Sequence, residues 1–254
     1  MRTAIISDIH GNLAALEVSL DHIAKQSVDS IVCLGDVLGY GPSPVECVDL
    51  VAESCDWCLM GNHDFAVLYE PTNFNTAAEQ ASYWTREQFE SEQDTVKAKT
   101  RWELLGRLKV RVSFRNFLCV HGSPRRPINE YIFPEDAINS PIKMEQIFFR
   151  IDRYCLVGHT HLPGVFTDEP DFYPPGDLDN NMYSFRDDEK AIINPGSIGQ
   201  PRDSDPRLSY ALLDEEKSTV TFHRLEYDIQ GVVQKIKATP QLSDWLGDRL
   251  LEGI

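Results

Sequence analysis

No stretch of this 254-residue chain approaches the roughly 18 consecutive apolar residues that a membrane-spanning helix needs, so no membrane role is expected. Positive charge is scarce as well. Lys and Arg total 24 against 40 Asp and Glu, giving a formal net charge of −16. The basic residues near 111–115 and 123–127 are isolated clusters and form no stripe that could follow a nucleic-acid backbone, so nucleic acid is not an expected partner. An anionic substrate would need a locally positive site, which a bound metal ion supplies. Also missing are the Gly-x-x-x-x-Gly-Lys-Ser/Thr phosphate loop and the Gly-x-Ser-x-Gly nucleophile elbow. Residues 1–12 carry one Arg and a short apolar stretch that runs into Asp8 and His10. A secretory leader would need a longer apolar region, so a cytoplasmic location is expected. Six cysteines offer one close pair, Cys55 and Cys58, on a predicted strand. A structural zinc site would need a second pair, so buried, reduced thiols are expected and no disulfide framework.

What is present is an ordinary globular mix, 42% hydrophobic and 25% charged, with enough apolar material for a sizeable core. Residues 3–7 read as a buried strand. Apolar residues at 13, 16, 20 and 23 then mark a helix over 12–25, with Asn12 as its cap. Residues 30–34 are strand-like, 44–53 helix-like and 56–60 strand-like again. Two βα units feeding a third strand predict a parallel sheet with helices outside it, an α/β fold. Residues 75–107 carry long helical periodicity and read as a helical insertion over the sheet edge. Short strands follow at 110–114, 116–120, 154–157, 190–193, 208–213 and 218–224. The acidic, Pro- and Asn-rich stretch 168–190 reads as a long surface loop. The tail reads as helices over 229–237 and 242–251. With no repeat and no linker, 1–254 is expected to be one domain.

Residues able to hold a metal gather just after the predicted strands: Asp8 and His10; Asp36; Asn62, His63 and Asp64; His121; His159 and His161. Ligands in α/β sheets bind outside the carboxyl ends of strands, so these five segments are expected to converge. They hold five of the seven histidines; His22 and His223 lie elsewhere. Each segment alone has a plain reading: Asp8 as a helix cap, Asp36 in a strand-to-loop turn, Asn62–Asp64 as a turn after Gly61. His159 and His161 stand two apart, on one face if the segment is extended. A metal site accounts for all five segments together. Mixed Asp, Asn and His donors suit Mn, Fe, Zn or Ni. Seven donors exceed what one ion uses beside a substrate, and two ions sharing a carboxylate fit better. Paired ions clamp both oxygens of a displacement at phosphorus, so phosphoester hydrolysis is the natural chemistry. An aspartyl-nucleophile phosphatase would place a second Asp where His10 stands, and an amidohydrolase would carry its His-x-His after the first strand.

At this point the sequence resembles a known family. DIHGN at 8–12, GD at 35–36, GNHD at 61–64, HG at 121–122 and GHTH at 158–161 follow in order the signature blocks of the calcineurin-like metallophosphoesterases. GYGPSP at 39–44 and NPGSIGQPRD at 194–203 resemble a prokaryotic branch distantly akin to diadenosine tetraphosphatases. The resemblance implies a four-layer α/β/β/α sandwich of two central mixed sheets flanked by helices. It implies that Asp8, His10 and His161 hold one divalent ion and Asn62, His121 and His159 a second, with Asp36 bridging and a hydroxide between the ions as nucleophile. It further implies that Asn62 touches a phosphate oxygen and that His63 is the general acid or electrostatic partner at the leaving group.

One departure matters. The protein-phosphatase branch reads Gly-Asp-x-x-Asp-Arg-Gly in its second block, where the second Asp orients the catalytic His. Gly39 and Tyr40 occupy those positions here, which argues against a phosphoprotein phosphatase. Asp64 is the expected substitute for orienting His63, and Arg202 or Arg125 for meeting phosphate. Both arginines also read as solvated, or as paired with acids such as Asp203 and Asp205. The expected substrate is a small phosphomonoester or phosphodiester, a nucleotide among the candidates. A nuclease, and a catalytically weak metal-binding scaffold or protein-interaction module, are the alternatives. Phe133 is expected in the core, and Tyr131 reads equally as core or pocket wall. Oligomeric state is not readable.

Overall fold

The structure is a computed structural model describing residues 1–254. Its first part alternates as expected: β1 (Arg2–Ile6), α1 (Leu13–Ile23), β2 (Ser30–Cys33), α2 (Pro44–Ser54) and β3 (Trp57–Cys58), with the three strands paired in parallel. Local chemistry explains the helix starts. The Asn12 side chain accepts the Ala15 N–H at 3.2 Å to cap α1. Pro44 opens α2, where its missing N–H costs nothing. The helical stretch after α3 (Asn62–Leu68) is two helices, α4 (Thr76–Glu90) and α5 (Thr95–Arg107), because Asn75 and Asp94 each cap a separate start.

The second part runs β4 (Arg111–Phe114), β5 (Phe117–Val120), α6 (Asp136–Asn139), α7 (Pro141–Phe148), β6 (Tyr154–Leu156), β7 (Gly164–Thr167), β8 (Asp171–Tyr173), β9 (Met182–Ser184), β10 (Ala191–Asn194), β11 (Leu208–Asp214), β12 (Thr219–Leu225), α8 (Ile229–Lys237) and α9 (Asp244–Glu252). The strands form two six-stranded mixed sheets, ordered β3-β2-β1-β11-β12-β9 and β4-β5-β6-β10-β7-β8.

Side-chain alternation shows how the layers stack. Ile5, Val32 and Leu34 from the first sheet share one cluster with Cys119, Leu156 and Ile193 from the second, filling the space between the sheets. Their neighbours point the other way. Ala4, Ile6 and Cys33 pack with Leu16, Val48 and Val51 of α1 and α2. Leu118, Cys155 and Ile192 pack with Met144, Ile147 and Phe148 of α7. A period of two on both sheets therefore buries both faces of each and yields the four-layer α/β/β/α sandwich. A fourth cluster joins α4, α8 and α9 over Tyr40.

Stretch 168–190 is not the loop its composition suggests. It contains β8, two short 3₁₀ turns and β9; β8 pairs with β7 and β9 with β12, so each strand edges one sheet. The Pro and Asn residues do mark turns, but three-residue edge strands are too short for alternation to register. Helices α6 and α7 and strand β7 are likewise additions to the sequence-based expectation.

Candidate metal centre

The carboxyl ends of β1, β2 and β3 from one sheet and of β5 and β6 from the other open onto a single point. Asp8, His10, Asp36, Asn62, His63, His121, His159 and His161 all meet there, none more than 8% exposed. Asp8, His10 and His161 make one tight group of donor atoms, and Asp36, His121 and His159 a second. A third group comprises His10, Asp36 and His63. His161 Nε2 is 3.3 Å from Asp8 Oδ1, and His121 Nε2 is 3.2 Å from Asp36 Oδ2. His10 Nε2 lies 3.7 Å from Asp36 Oδ2 and 3.9 Å from Asp8 Oδ1. The Asn62 side-chain oxygen lies 3.3 Å from His121 Nε2.

Backbone carbonyls set three of the rings. His10 Nδ1–H donates to Leu38 O at 3.0 Å, His121 Nδ1–H to Leu34 O at 2.9 Å, and His161 Nδ1–H to Gln200 O. A carbonyl only accepts, so each Nδ1 carries the proton and each Nε2 faces inward. His159 lacks such a bond. Its ring lies against the Tyr131 ring, with centroids 3.8 Å apart and planes 16° from parallel. The backbone around the site is strained as well, since Asp8, His10, Asp36, His159 and His161 all have φ between 50° and 69°. Such φ values cost non-glycine residues of order 1–3 kcal/mol each and cluster at functional sites. His159 and His161 are thus aimed by a left-handed turn, not by the extended segment expected.

Charge in the cluster is unbalanced. Burial alone would push the Asp8 and Asp36 carboxyls up, but the facing imidazoles hold both well below the usual range. Burial pushes His10 and His161 down, and with Nδ1 protonated either ring in its neutral form presents a bare Nε2. The two Nε2 atoms stand 3.1 Å apart, and His161 Nε2 lies 3.3 Å from Asp8 Oδ1, so with both rings neutral three acceptors face one another. The buried Nε2 of His159, whose proton burial drives off to about 3, also has no partner. His121 is the exception: burial opposes its proton, but Asp36 holds it up at about 10. A divalent cation would satisfy every one of these acceptors, and the donor set fits one.

Two expected site residues sit differently. Asp64 does not orient His63. Its carboxylate accepts N–H groups from Asp36 at 2.8 Å, Gly61 at 3.0 Å and Leu38 at 3.1 Å, so it clamps two site loops to the start of α3. His63 Nδ1 is buried with no partner, and its ring packs on Tyr40 at 4.3 Å and Phe74 at 4.5 Å. Gly39, φ +85°, has no room for the side chain that the phosphatase pattern places there, because a Cβ would come within 2.4 Å of His63 Nδ1. Arg125 is held by Glu130 and Gln146 and touches none of the cluster. Arg202, by contrast, lies 6.0 Å over the Tyr40 ring, which rests on His10 at 4.7 Å. Asp203 and Asp205 are taken by Arg224 and Arg207, which leaves Arg202 without a carboxylate. Phe133, expected in the core, is 38% exposed.

Sequence reasoning misses the residues that shape the loops. Asn194 donates to Gly158 O and Thr160 Oγ1, both at 2.8 Å, and Ser197 Oγ donates to Asp8 O at 2.7 Å. Their signal in the sequence is the NPGS segment at 194–197, which carries no role of its own there. Tyr40 registers only as a departure from the phosphatase pattern.

The profile of the calcineurin-like phosphoesterase superfamily domain matches residues 1–218. An uncharacterized protein of Methanocaldococcus jannaschii is 34% identical over 253 residues, which cover 98% of this chain and 97% of that protein. A metallophosphoesterase from Sphaerobacter thermophilus superposes with a TM-score of 0.84 at 38% identity, covering 100% of this chain and 99% of that one. A hypothetical protein from Pyrococcus horikoshii shares the fold, with a TM-score of 0.75 at 19% identity over 100% of this chain and 98% of that one. No helix is long and apolar enough to cross a membrane.

Proposed function

Because this chain belongs to the calcineurin-like phosphoesterase superfamily, we propose that it hydrolyses a small phosphomonoester or phosphodiester with two divalent ions held by its buried cluster. Asp8, His10 and His161 would hold one ion, Asn62, His121 and His159 the other, with Asp36 between them. When bound, such ions act as Lewis acids and lower the pKa of a coordinated water towards ~7. The chain's own residues do the rest. Leu38, Leu34 and Gln200 carbonyls keep three imidazoles in the ligating tautomer. Buried Asp8 and Asp36 stay ionised and attract cations, and an ion held by His121 would displace the proton that Asp36 otherwise keeps on that ring. Asn62, at the start of α3, has its side-chain oxygen 3.3 Å from His121 Nε2, and its amide would touch a phosphoryl oxygen bound at the cluster. His63 stands beside His10 as the proton source or electrostatic partner for the leaving group. Arg202 supplies positive charge at the mouth, in a chain that is otherwise acidic.

The observation that carries this reading is the meeting of the His10 and His161 Nε2 atoms, 3.1 Å apart beside Asp8, an arrangement that is unfavourable for neutral rings without a cation. The test is turnover of p-nitrophenyl phosphate and bis-p-nitrophenyl phosphate by protein stripped with chelator and reloaded with Mn²⁺, with Asp36→Asn as control. Metal-dependent turnover that fails in Asp36→Asn, together with loss of bound ion from that variant, is the expected outcome. Two full equivalents of ion retained by Asp36→Asn would remove the bridging role.

A further inference from the structure

Beside the histidine cluster stand an aromatic column and two guanidiniums that a bare phosphoester hydrolysis does not require. Tyr131 lies face to face on His159, and Phe133 continues the column at 5.2 Å with planes 10° from parallel. Both outer rings are 38% exposed, so the column rises from the buried centre to solvent. A further planar ring laid against it would gain stacking that water cannot offer.

The charges come from two directions. Arg202 follows the Gly-rich turn after β10, donates to the Gln200 side-chain oxygen at 2.9 Å, and keeps a buried Nε with no partner. Arg249 comes from α9, whose Leu246 and Leu250 close a small cavity against His10 and Tyr40. Its guanidinium lies over Trp245 at 4.5 Å, and its Nε donates to Ile254 O, with no carboxylate side chain against it. Burial and the neighbouring Arg202 charge together pull the Arg249 pKa down to about 10, and the Tyr40 and Tyr131 phenols also act on it. Arg202 and Arg249, neither of which faces a carboxylate side chain, repel one another unless an anion joins them.

We propose that Tyr131, Phe133, Arg202 and Arg249 form a leaving-group subsite for a nucleotide-like ligand, a phosphoester that bears a planar ring and a second phosphate. The inference rests on the phosphoesterase reading only for which bond is cut; recognition of ring and charge stands apart from it. Arg249 lies beyond residues 1–218 matched by the family profile, so the C-terminal helices would add this selectivity to the shared domain.

Calorimetric titration of the Mn²⁺-loaded protein tests the subsite, with α,β-methylene-adenosine diphosphate compared with inorganic phosphate. The nucleotide is expected to bind at least ~10-fold tighter than phosphate, given the usual worth of a stacked base and of a charge-assisted contact. Phe133→Ala and Arg249→Gln should each weaken the nucleotide ~10-fold and leave phosphate affinity unchanged. Phosphate binding as tightly as the nucleotide to the unaltered protein would overturn the proposal, as would variants that weaken both ligands equally. Selective losses in a protein that cleaves no ester would sustain the subsite and remove the hydrolase reading. Ester cleavage without selective losses would do the reverse.

Discussion

His63 combines a buried, unpartnered Nδ1 with a backbone N–H that donates to Asp36 Oδ1 at 2.8 Å. Burial pulls its pKa to about 4, so at neutral pH the free protein carries it uncharged. The proton-donor role proposed for it would therefore depend on negative charge developing on the leaving oxygen. His63→Ala is expected to keep its metal content and to slow phenyl phosphate by ~10²–10⁴-fold, and p-nitrophenyl phosphate, whose leaving group needs no proton, by less. Equal turnover of phenyl phosphate by the variant and the parent would remove the acid role. A histidine outside the cluster also contributes to acid stability. His223 on β12 stacks on Tyr210 at 4.8 Å, and burial, then His22 and Arg2, pull it down to about 4. Its folded value lies below the unfolded one, near 6.5, so the unfolded chain takes up the proton first and stability falls as pH drops from 6.5 towards 4. His223→Gln should lose less stability than the parent between pH 7 and 5 in urea titrations with chelator present. The difference is expected to be about 1 kcal/mol, discounted for the part of the ring that water reaches.

Helix α3 shows how one short element organises several loops. Its first turn holds Asn62, His63 and Asp64, and Gly61 before it leaves no room for a side chain, since a Cβ would come within 2.0 Å of Asp36 Oδ1. The Asp64 carboxylate then ties the Asp36 and Leu38 N–H groups to the N-terminal end of α3. Asp64→Ala would strand three buried donors and should cost about 3 kcal/mol or more in denaturant unfolding. Asp64→Asn, which keeps two acceptor lone pairs on one oxygen, should lose less. If Asp64→Ala is as stable as the parent, the clamp carries no weight. The GNHD block is plain in the sequence, but its spacing pairs the Asp with His63 and misleads, because spacing alone does not say which way a side chain faces at the start of a helix. The element that composition misrepresents is 168–190, where turn-forming residues conceal β8 and β9.

Each sheet meets helices on one face and the other sheet on its opposite face, and the site lies where strand ends from both sheets open together. At that place two buried carboxylates and several bare imidazoles are held in left-handed backbone turns. Ions that bind only this folded arrangement should stabilise the whole molecule by mass action, about 2.7 kcal/mol at a free concentration a hundred times Kd. A calorimetric melt with Mn²⁺ should accordingly rise by several degrees over the same protein in chelator, and Asp36→Asn should abolish most of the difference. Identical melting with and without ion would mean that the cluster binds nothing of consequence.

Much of this is legible in the order of residues, for local reasons. A βα alternation, a helix cap at Asn12, and ligating side chains placed just after strands all act within a few residues, and chain order records such short-range chemistry. The convergence of the five motif segments follows from a general rule about strand ends. Sequence could not decide how side chains from distant segments share space. That Asp64 serves the Asp36 and Leu38 N–H groups, that Arg224 takes Asp203 and leaves Arg202 without a carboxylate, and that Tyr131 lies on His159 all depend on residues far apart in the chain meeting at contact distance. Only packing of both sheets and the C-terminal helices sets those distances, because each competing partner was equally available to the unfolded chain.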